Sequence, residues 1–294
     1  MAAAQLNYGP VPGLRHTRLI RLLGGLALLI ASVVTQAANY TLAVVPQASP
    51  ADTYQRWAPF TEMLQQVLGQ HLQLRVYRTF DEFETDLVNG RVDFAYMNPY
   101  HFLVARQAQG YVPLVRDNSR QLSGQLLVRR DSPLKSVKDL NGQAIGFPDP
   151  NAFAASLYMR ALLQEKMKIR FTSRYLGTHA NVYRHIIIGN VKAGAGVNVT
   201  FARELPETRA ELRVLYETPG TAPHPLCAHP RVPAILREAV TQAVLELGNN
   251  ENGRALLKQV DIIQPVRAVY ARDYQPLERL NLQKFVVQTQ LSPR

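Results

Sequence analysis

Strand-like and helix-like segments alternate along this chain. Residues 40–46 form a short apolar run typical of a buried strand, 54–68 carry apolar residues at helical spacing, and 72–77 alternate as a strand does. The alternation continues as far as a strand predicted at 212–217. Parallel strands are joined by long crossovers that usually contain a helix. The order therefore predicts an α/β fold with largely parallel sheets and right-handed crossovers.

The alternation restarts near residue 125, which divides the chain into two α/β units. The predicted boundaries are 38–123 plus 222–294 for lobe 1, 124–221 for lobe 2, and 122–128 and 212–218 for two hinge strands. Residues 219–233 contain five prolines and are expected to cross between the lobes without forming a strand. After them we expect only helices and a tail that docks on lobe 1. Because ligands of open sheets collect at the carboxyl ends of the strands, a ligand cleft is predicted between the lobes.

The N-terminal residues have the three parts of a secretory signal. Three arginines precede the apolar run 22–34, and small residues stand before a cleavage point after Ala37. An uncleaved membrane anchor, the alternative, needs about 18 or more apolar residues, and this run is shorter. Residues 1–37 are therefore predicted to be a cleavable signal peptide. Export of a chain whose single cysteine, Cys227, cannot form an intramolecular disulfide favours the periplasm of a Gram-negative cell.

The chain carries a formal charge of +11, which is spread along the sequence rather than gathered into basic runs. Such a charge favours anionic ligands, whereas a nucleic acid partner is not expected without a basic tract or interleaved aromatic residues. The sequence lacks the motifs of serine hydrolases, phosphate-binding loops, zinc peptidases and dinucleotide-binding folds. No enzymatic activity and no cofactor are therefore predicted.

One cysteine and two histidines lie close together in the proline-rich segment. His224, Cys227 and His229 could contribute to a metal site, but the sequence offers no evident fourth ligand. We therefore predict no metal site. A nucleophilic role for Cys227 is the other alternative, and a buried structural cysteine is the commoner case.

A turn rich in proline opens into a helix within residues 147–158. The first N–H groups of a helix have no acceptor within it and lie at the positive end of the helix dipole, so this segment suits an anion. Asn151 would either bind the ligand or act as the helix N-cap. His179, further along the chain, would either bind the ligand or cap its own helix. Arg160 and Arg184 are expected to be exposed helix charges.

Five phrases of this sequence, in the same order, resemble the phosphate, phosphite and phosphonate binding proteins of ABC importers (PhnD-like proteins). The phrases are Val45-Pro46-Gln47, Asp93-Phe94-Ala95-Tyr96-Met97-Asn98-Pro99-Tyr100, Lys138-Asp139-Leu140-Asn141-Gly142, Asp149-Pro150-Asn151 and Gly177-Thr178-His179. The resemblance covers nearly all of the chain after the signal. It implies a type II periplasmic binding protein fold, in which two α/β lobes joined by a two-strand hinge close on an oxyanion.

The resemblance also implies ligand-binding residues on both lobes. They are Gln47, Tyr96, Asn98, Tyr100 and His224 on lobe 1, and Asn151, Ala152, Phe153, His179 and Thr200 on lobe 2. The alternative for the three aromatic residues among them is core packing. The family has a run of hydroxyl residues where this chain has 152–154, and acids for an aminoalkyl group where it has 197–200 and 223–225. Aminoalkyl phosphonates are therefore expected to be poor ligands. A flatter, more apolar or aromatic anion, or an anion held by N–H groups and His179 alone, is expected to fit better.

The predicted function is that of a periplasmic solute receptor. It would capture a small oxyanion of the phosphonate, phosphite or phosphate kind as a monomer and deliver it to the permease of an ABC importer. The alternative is a freestanding sensor subunit that uses the same fold to report a small anionic or aromatic ligand to a membrane partner.

Overall fold

The computed structural model describes residues 39–287, so the predicted signal peptide and the end of the predicted tail lie outside the described residues. Within this range eleven strands form two sheets, and the longer helices pack against them. The strands are β1 (Tyr40–Val44), β2 (Leu72–Arg75), β3 (Phe94–Tyr96), β4 (Val112–Asp117), β5 (Gly124–Arg129), β6 (Ala144–Phe147), β7 (Thr172–Tyr175), β8 (Ala193–Val197), β9 (Leu212–Glu217), β10 (Pro225–Ala228) and β11 (Pro265–Arg267). The longer helices are Pro50–Leu68, Phe80–Val88, Pro99–Gln109, 153–166, His179–Ile187, Ala234–Leu247 and Glu251–Gln259. The shorter ones are Val137–Leu140, Asn198–Arg203, Pro206–Ala210, Tyr270–Tyr274, Gln275–Leu280 and Leu282–Phe285.

Each sheet is the centre of one α/β lobe. The sheet of lobe 1 has the strand order β11-β4-β10-β3-β1-β2, and the sheet of lobe 2 has the order β7-β6-β8-β5-β9. The strands of lobe 1 come from 40–117 and 225–267, and those of lobe 2 come from 124–217. The exact lobe boundaries given above stay a prediction. Among the described residues no helix combines the length and the apolar character needed to cross a membrane.

The expectation of largely parallel sheets is wrong, because both sheets are mixed. In lobe 1, β1 runs parallel to β2 and β3, whereas β10 is antiparallel to β3 and β4, and β11 is antiparallel to β4. In lobe 2, β6 is parallel to β7 and β8, whereas β5 is antiparallel to β8 and β9. The two strands that the sequence analysis missed, β10 and β11, both begin with a proline, Pro225 and Pro265. Proline is tolerated at the first residue of a strand, so it did not exclude one here.

The described tail contacts both lobes, which corrects the expectation that it docks on lobe 1. Gln275–Leu280 packs on the lobe 1 helix Pro99–Gln109, but Leu282–Phe285 packs on the lobe 2 helix 153–166. The Arg160 side chain of that helix is buried under this segment, and its Nη2 donates to the carbonyl oxygens of Pro150 and Phe285, each at 2.7 Å. Arg160 is therefore not an exposed charge. We call residues 282–287 the C-terminal strap.

The two chain crossings between the lobes run side by side and bond to each other. Leu122 and Thr221 exchange backbone hydrogen bonds of 2.9 Å, and the Gly124 N–H donates to the Thr218 Oγ1 at 2.9 Å. This pair forms the two-strand hinge. A Cβ placed on Gly124 would lie 2.1 Å from the carbonyl oxygen of Ala154 in the first turn of helix 153–166. The hinge and that turn are in contact only because residue 124 has no side chain.

Gly124→Ala is expected to lower the free energy of unfolding by about 1–3 kcal/mol, because the added methyl group meets a backbone carbonyl that cannot rotate away. The control is Gly248→Ala, since Gly248 has a helical φ of −63° and its nearest contact to an added Cβ would be 3.3 Å. Urea unfolding measures both. An equal or smaller loss for Gly124→Ala would contradict the close hinge contact.

Candidate ligand-binding site

A narrow cavity lies between the two lobes beside the hinge. Lobe 1 contributes the polar side chains of Gln47, Asn98 and His224, and lobe 2 contributes His179 and the helix start Ala152–Ala155. The remaining lining residues are Val45, Phe80, Leu122 and Val197. The cavity volume is about 10 Å³, roughly the space that one water molecule requires. The empty lobes are therefore closed, and a ligand of several atoms enters and fits only if they move further apart.

Helix 153–166 points its first turn at this cavity. Ala152 is the N-cap residue, and no side chain bonds the free N–H groups of this end. The Ser156 and Leu157 N–H groups both donate to the Ala152 carbonyl, at 2.9 and 3.1 Å, so the helix begins with a wide π turn. The N–H groups that come before them in the helix have no acceptor within it. Backbone donors at the positive end of the helix dipole thus face the cavity.

His179 is the first residue of the helix His179–Ile187, but it does not cap that helix. The N-cap is Thr178, whose Oγ1 accepts from the Asn181 N–H at 3.2 Å. The His179 ring is buried, and its Nδ1 has no hydrogen-bond partner among the described residues. Burial, aided by the charge of Arg203, lowers the pKa of His179 to about 3. A neutral imidazole with one free nitrogen therefore lies in the cavity wall.

A glycine allows the helix that carries His179 to lie close to the lobe 2 sheet. A Cβ on Gly196 of β8 would lie 2.2 Å from the Tyr183 hydroxyl oxygen, so only glycine allows this approach. The Tyr183 hydroxyl in turn lies 2.8 Å from the Thr200 Oγ1, which donates to the Val197 carbonyl at 2.9 Å. Thr200 does not line the cavity. Its hydroxyl is used in the packing of this helix.

His224 forms the opposite, lobe 1 wall together with Gln47. The Gln47 Nε2 and the His224 Nε2 are 3.3 Å apart. Because the amide nitrogen can only donate, the His224 Nε2 is the acceptor and its Nδ1 carries the proton. The ring stacks on Tyr96 at 5.4 Å, and Tyr96 packs on Trp57 at 4.7 Å. Burial, with smaller effects of His101, His179 and Arg203, lowers the pKa of His224 to about 3.

Asn98 is both a helix cap and a cavity residue. Its Oδ1 accepts from the His101 N–H at 2.8 Å at the start of the helix Pro99–Gln109. Tyr100, two residues later, is buried without lining the cavity. Asn151 also lies outside the cavity lining, and it is not the helix N-cap, because Ala152 takes that position. Its side chain bonds instead to Glu84 and to Val287 of the strap.

The cavity thus brings together part of the residue set expected from the sequence. Gln47, Asn98, Ala152, Phe153, His179 and His224 line it, whereas Tyr96, Tyr100, Asn151 and Thr200 do not. Contact of any of them with a ligand stays a prediction. The apolar lining residues Phe80, Leu122 and Val197 were missed, because a buried apolar residue in a ligand wall has the same sequence pattern as one in the core. Among the described lining residues none carries a formal charge.

The residues considered for a metal site are used in other ways. Cys227 is buried in β10, where burial raises its thiol pKa, and His229 packs edge-on against Tyr111 at 5.1 Å. Within residues 39–287 no three His, Cys, Asp or Glu side chains form a group that could hold a metal ion.

Two α/β lobes on a two-strand hinge, with a polar cavity between them, define a class of receptors that close around small ligands. The family model described as "ABC transporter, phosphonate, periplasmic substrate-binding protein" matches residues 42–274 of this chain. The chain belongs to this family. Its relatives are substrate-binding components of ABC transporters, whose partners are a small ligand and a membrane permease.

Solved structures show the same fold. A phosphonate-transporter binding protein from Pseudomonas aeruginosa is 14% identical, with 85% of this chain and 88% of that chain covered at a TM-score of 0.76. PhnD1 from Prochlorococcus marinus, in complex with methylphosphonate, is 14% identical, with 83% and 97% covered and a TM-score of 0.74. A Xanthomonas citri protein bound to a chloride ion is 16% identical, with 84% and 98% covered and a TM-score of 0.71. The expected type II periplasmic binding protein fold is confirmed.

The two buried histidines should make the protein sensitive to acid. They are neutral in the folded chain, with pKa values of about 3, but titrate near 6.5 when unfolded. Unfolding then takes up about one proton at each ring between roughly pH 6.5 and 3, so the free energy of unfolding falls as the pH falls. The loss is about 1.4 kcal/mol per pH unit for each ring.

His179→Gln and His224→Gln should each reduce this slope by about one proton between pH 4 and 6. Urea unfolding at a series of pH values measures the slope. Variants with the slope of the parent chain would show that the rings are not buried in the neutral form.

Proposed function

We propose that this chain is the periplasmic receptor of an ABC importer and that it captures a small, phosphonate-like oxyanion between its lobes. It would be exported through the signal peptide predicted at 1–37, act by binding without catalysis, and work as a single chain, since both walls of the cavity belong to one chain. The observation that carries the proposal is that two polar features of lobe 2 meet at one cavity. The uncapped start of helix 153–166 and the buried His179, whose Nδ1 has no hydrogen-bond partner among the described residues, line one cavity.

The donors available to an anion are backbone N–H groups and neutral side chains. The N–H groups of Phe153, Ala154 and Ala155 lie at the first turn, and Gln47 and Asn98 add amide groups from lobe 1. A helix N-terminus acts as about half a positive charge. With no cation in the described lining, one negative charge on the ligand is better balanced than two. This favours the monoanion of a phosphonate over the dianions of phosphite and phosphate.

The apolar part of the wall suits a short alkyl substituent. Phe80, Leu122 and Val197 would contact it, and burial of each CH₂ group contributes about 0.8 kcal/mol. The PhnD1 structure, solved with methylphosphonate, supports a ligand of this kind. An aminoalkyl group would bring an ammonium into the cavity without a carboxylate among the described lining residues, and an unpaired buried charge is costly.

Lobe closure couples this binding to transport. A ligand that contacts both walls stabilises the closed state by the contacts it cannot make when the lobes are apart. The closed receptor would then present both lobes to the permease. The sensor alternative has no observation in its favour, because the matched family consists of transporter components.

Methylphosphonate should raise the melting temperature by about 5–10 °C at a hundredfold excess over Kd. Phosphite and phosphate should raise it less, because they carry more of a second negative charge near neutral pH, and 2-aminoethylphosphonate should raise it least because of its ammonium. Differential scanning fluorimetry over pH 6–8 measures the panel. An unchanged melting temperature with all four anions would contradict the oxyanion assignment.

His179→Ala should weaken methylphosphonate binding by about 1.5–3 kcal/mol, roughly 10- to 150-fold, because a hydrogen bond to a charged acceptor is lost. The control is His185→Ala in the last turn of the same helix, which lies outside the cavity lining. Isothermal titration calorimetry measures both. Equal affinities for the two variants would remove His179 from the binding site.

A further inference from the structure

Glu84 of lobe 1 makes a direct hydrogen bond to lobe 2. It lies on the helix Phe80–Val88, and its Oε2 accepts from the Asn151 Nδ2 at 3.2 Å. Asn151 directly precedes Ala152, the N-cap of the helix that faces the cavity. The two partners belong to opposite lobes, so this bond exists only when the lobes are closed.

The Glu84 carboxylate is held in place from its own lobe. Its Oε1 accepts from the His101 Nε2 at 2.8 Å. The buried His101 ring packs against Phe80 and Phe83, at centroid distances of 5.6 and 5.4 Å. The His101 backbone N–H donates to the Oδ1 of Asn98, a cavity residue. One carboxylate therefore connects the lobe 1 wall of the cavity to the loop that begins the lobe 2 wall.

Asn151 is held from a second side by the C-terminal strap. Its Nδ2 donates to the Val287 carbonyl and its Oδ1 accepts from the Val287 N–H, both at 3.2 Å. The loop is anchored further by Arg160, whose guanidinium joins the Pro150 carbonyl to that of Phe285. The amide of Asn151 therefore has a fixed orientation, and it presents a neutral donor to Glu84.

The surroundings explain why the partner of Glu84 is an amide. Asp149, whose Oδ1 accepts from the Asn151 N–H at 2.9 Å, is also on this face of lobe 2. Burial raises the pKa of Asp149 to about 6, the Asn151 N–H opposes the rise, and the negative charge of Glu84 adds to it. Two carboxylates therefore lie near enough across the closed interface to repel each other, and the Asn151 side chain bonds one while its backbone bonds the other.

We propose that Glu84 is a positioning residue for ligand capture, a latch that fastens the closed cleft through Asn151 without touching the ligand. The inference rests on the proposed function, since a latch affects transport only if the cleft holds a ligand. It stabilises the closed lobes with or without a ligand, so its loss speeds ligand release, and it also speeds ligand entry because entry requires open lobes. A residue that merely stabilised the fold would change neither rate constant in this way.

The test measures the association and dissociation rate constants of methylphosphonate by stopped-flow fluorescence of Trp57, the single tryptophan of the chain. Glu84→Ala should raise the dissociation rate constant by about tenfold or more, because a hydrogen bond to a charged group is lost. Glu84→Gln keeps one acceptor oxygen, so its dissociation rate constant should lie between those of the parent chain and Glu84→Ala. The matched control is Glu82→Ala on the same helix, because the Glu82 carboxylate accepts from the Arg78 N–H within lobe 1. Equal dissociation rate constants for Glu84→Ala and Glu82→Ala would overturn the latch.

A double-mutant cycle with Asn151→Ala isolates the interlobe bond from the contacts that Asn151 makes with the strap. If Glu84 acts through Asn151, the double variant should release the ligand about as fast as Asn151→Ala alone. If instead each substitution raises the dissociation rate constant by its own factor and the two factors multiply in the double variant, Glu84 acts elsewhere. The melting temperature of each unliganded variant confirms that it folds.

Failure of the proposed function gives a different result from failure of the latch. If the parent chain binds none of the four anions, the oxyanion assignment fails while the latch can still be measured without ligand. Small-angle X-ray scattering should then give a larger radius of gyration for Glu84→Ala than for Glu82→Ala. Equal radii would overturn the latch in that case as well.

Discussion

The buried start of helix 153–166 is the constraint on which the binding site depends. Helices that begin at Pro50, Phe80, Pro99 and His179 have a side-chain oxygen that accepts from their first turn. The helix that begins at Phe153 has none, although Ala152–Ala155 are buried. A buried polar group without a partner costs about 1–3 kcal/mol. An anion bound as proposed would remove this cost, so the empty protein would be less stable than the liganded one.

Two close contacts bring the rest of the site to this helix. Gly124 lets the hinge lie against the first turn, and Gly196 lets the helix that carries His179 lie against its sheet. Each contact joins an element of the fold to a wall of the cavity. A change in lobe orientation therefore moves the donors directly, because protein interiors are packed too densely to absorb the movement. The hinge and the first turn of helix 153–166 are therefore expected to move together.

The order of elements up to β9 could be predicted from the sequence because apolar periodicity is local. The strands β10 and β11 could not, because Pro225 and Pro265 suggested breaks, and their pairing with β3 and β4 depends on residues more than a hundred positions away. The burial of Arg160 was hidden for the same reason, since the strap that covers it comes 125 residues later. The proline-rich turn before helix 153–166 and His179 indicated the position of the cavity. The hydrogen bonds of hydroxyl and amide groups such as those of Thr200 and Asn151 could not be predicted, because their partners are set by tertiary packing.

The charge of the chain and the chemistry of the cavity act at different distances. The net charge is +11, of which three arginines lie in the predicted signal peptide, and the remaining +8 favours anions near the protein. The described cavity lining holds no cation, and its two histidines are neutral. In the proposed function, the net charge therefore favours encounter with an anion, whereas selection depends on neutral donors and acceptors. In the proposed site the neutral His179 ring donates one hydrogen bond to an anion oxygen, and the helix N–H groups bind the remaining oxygens.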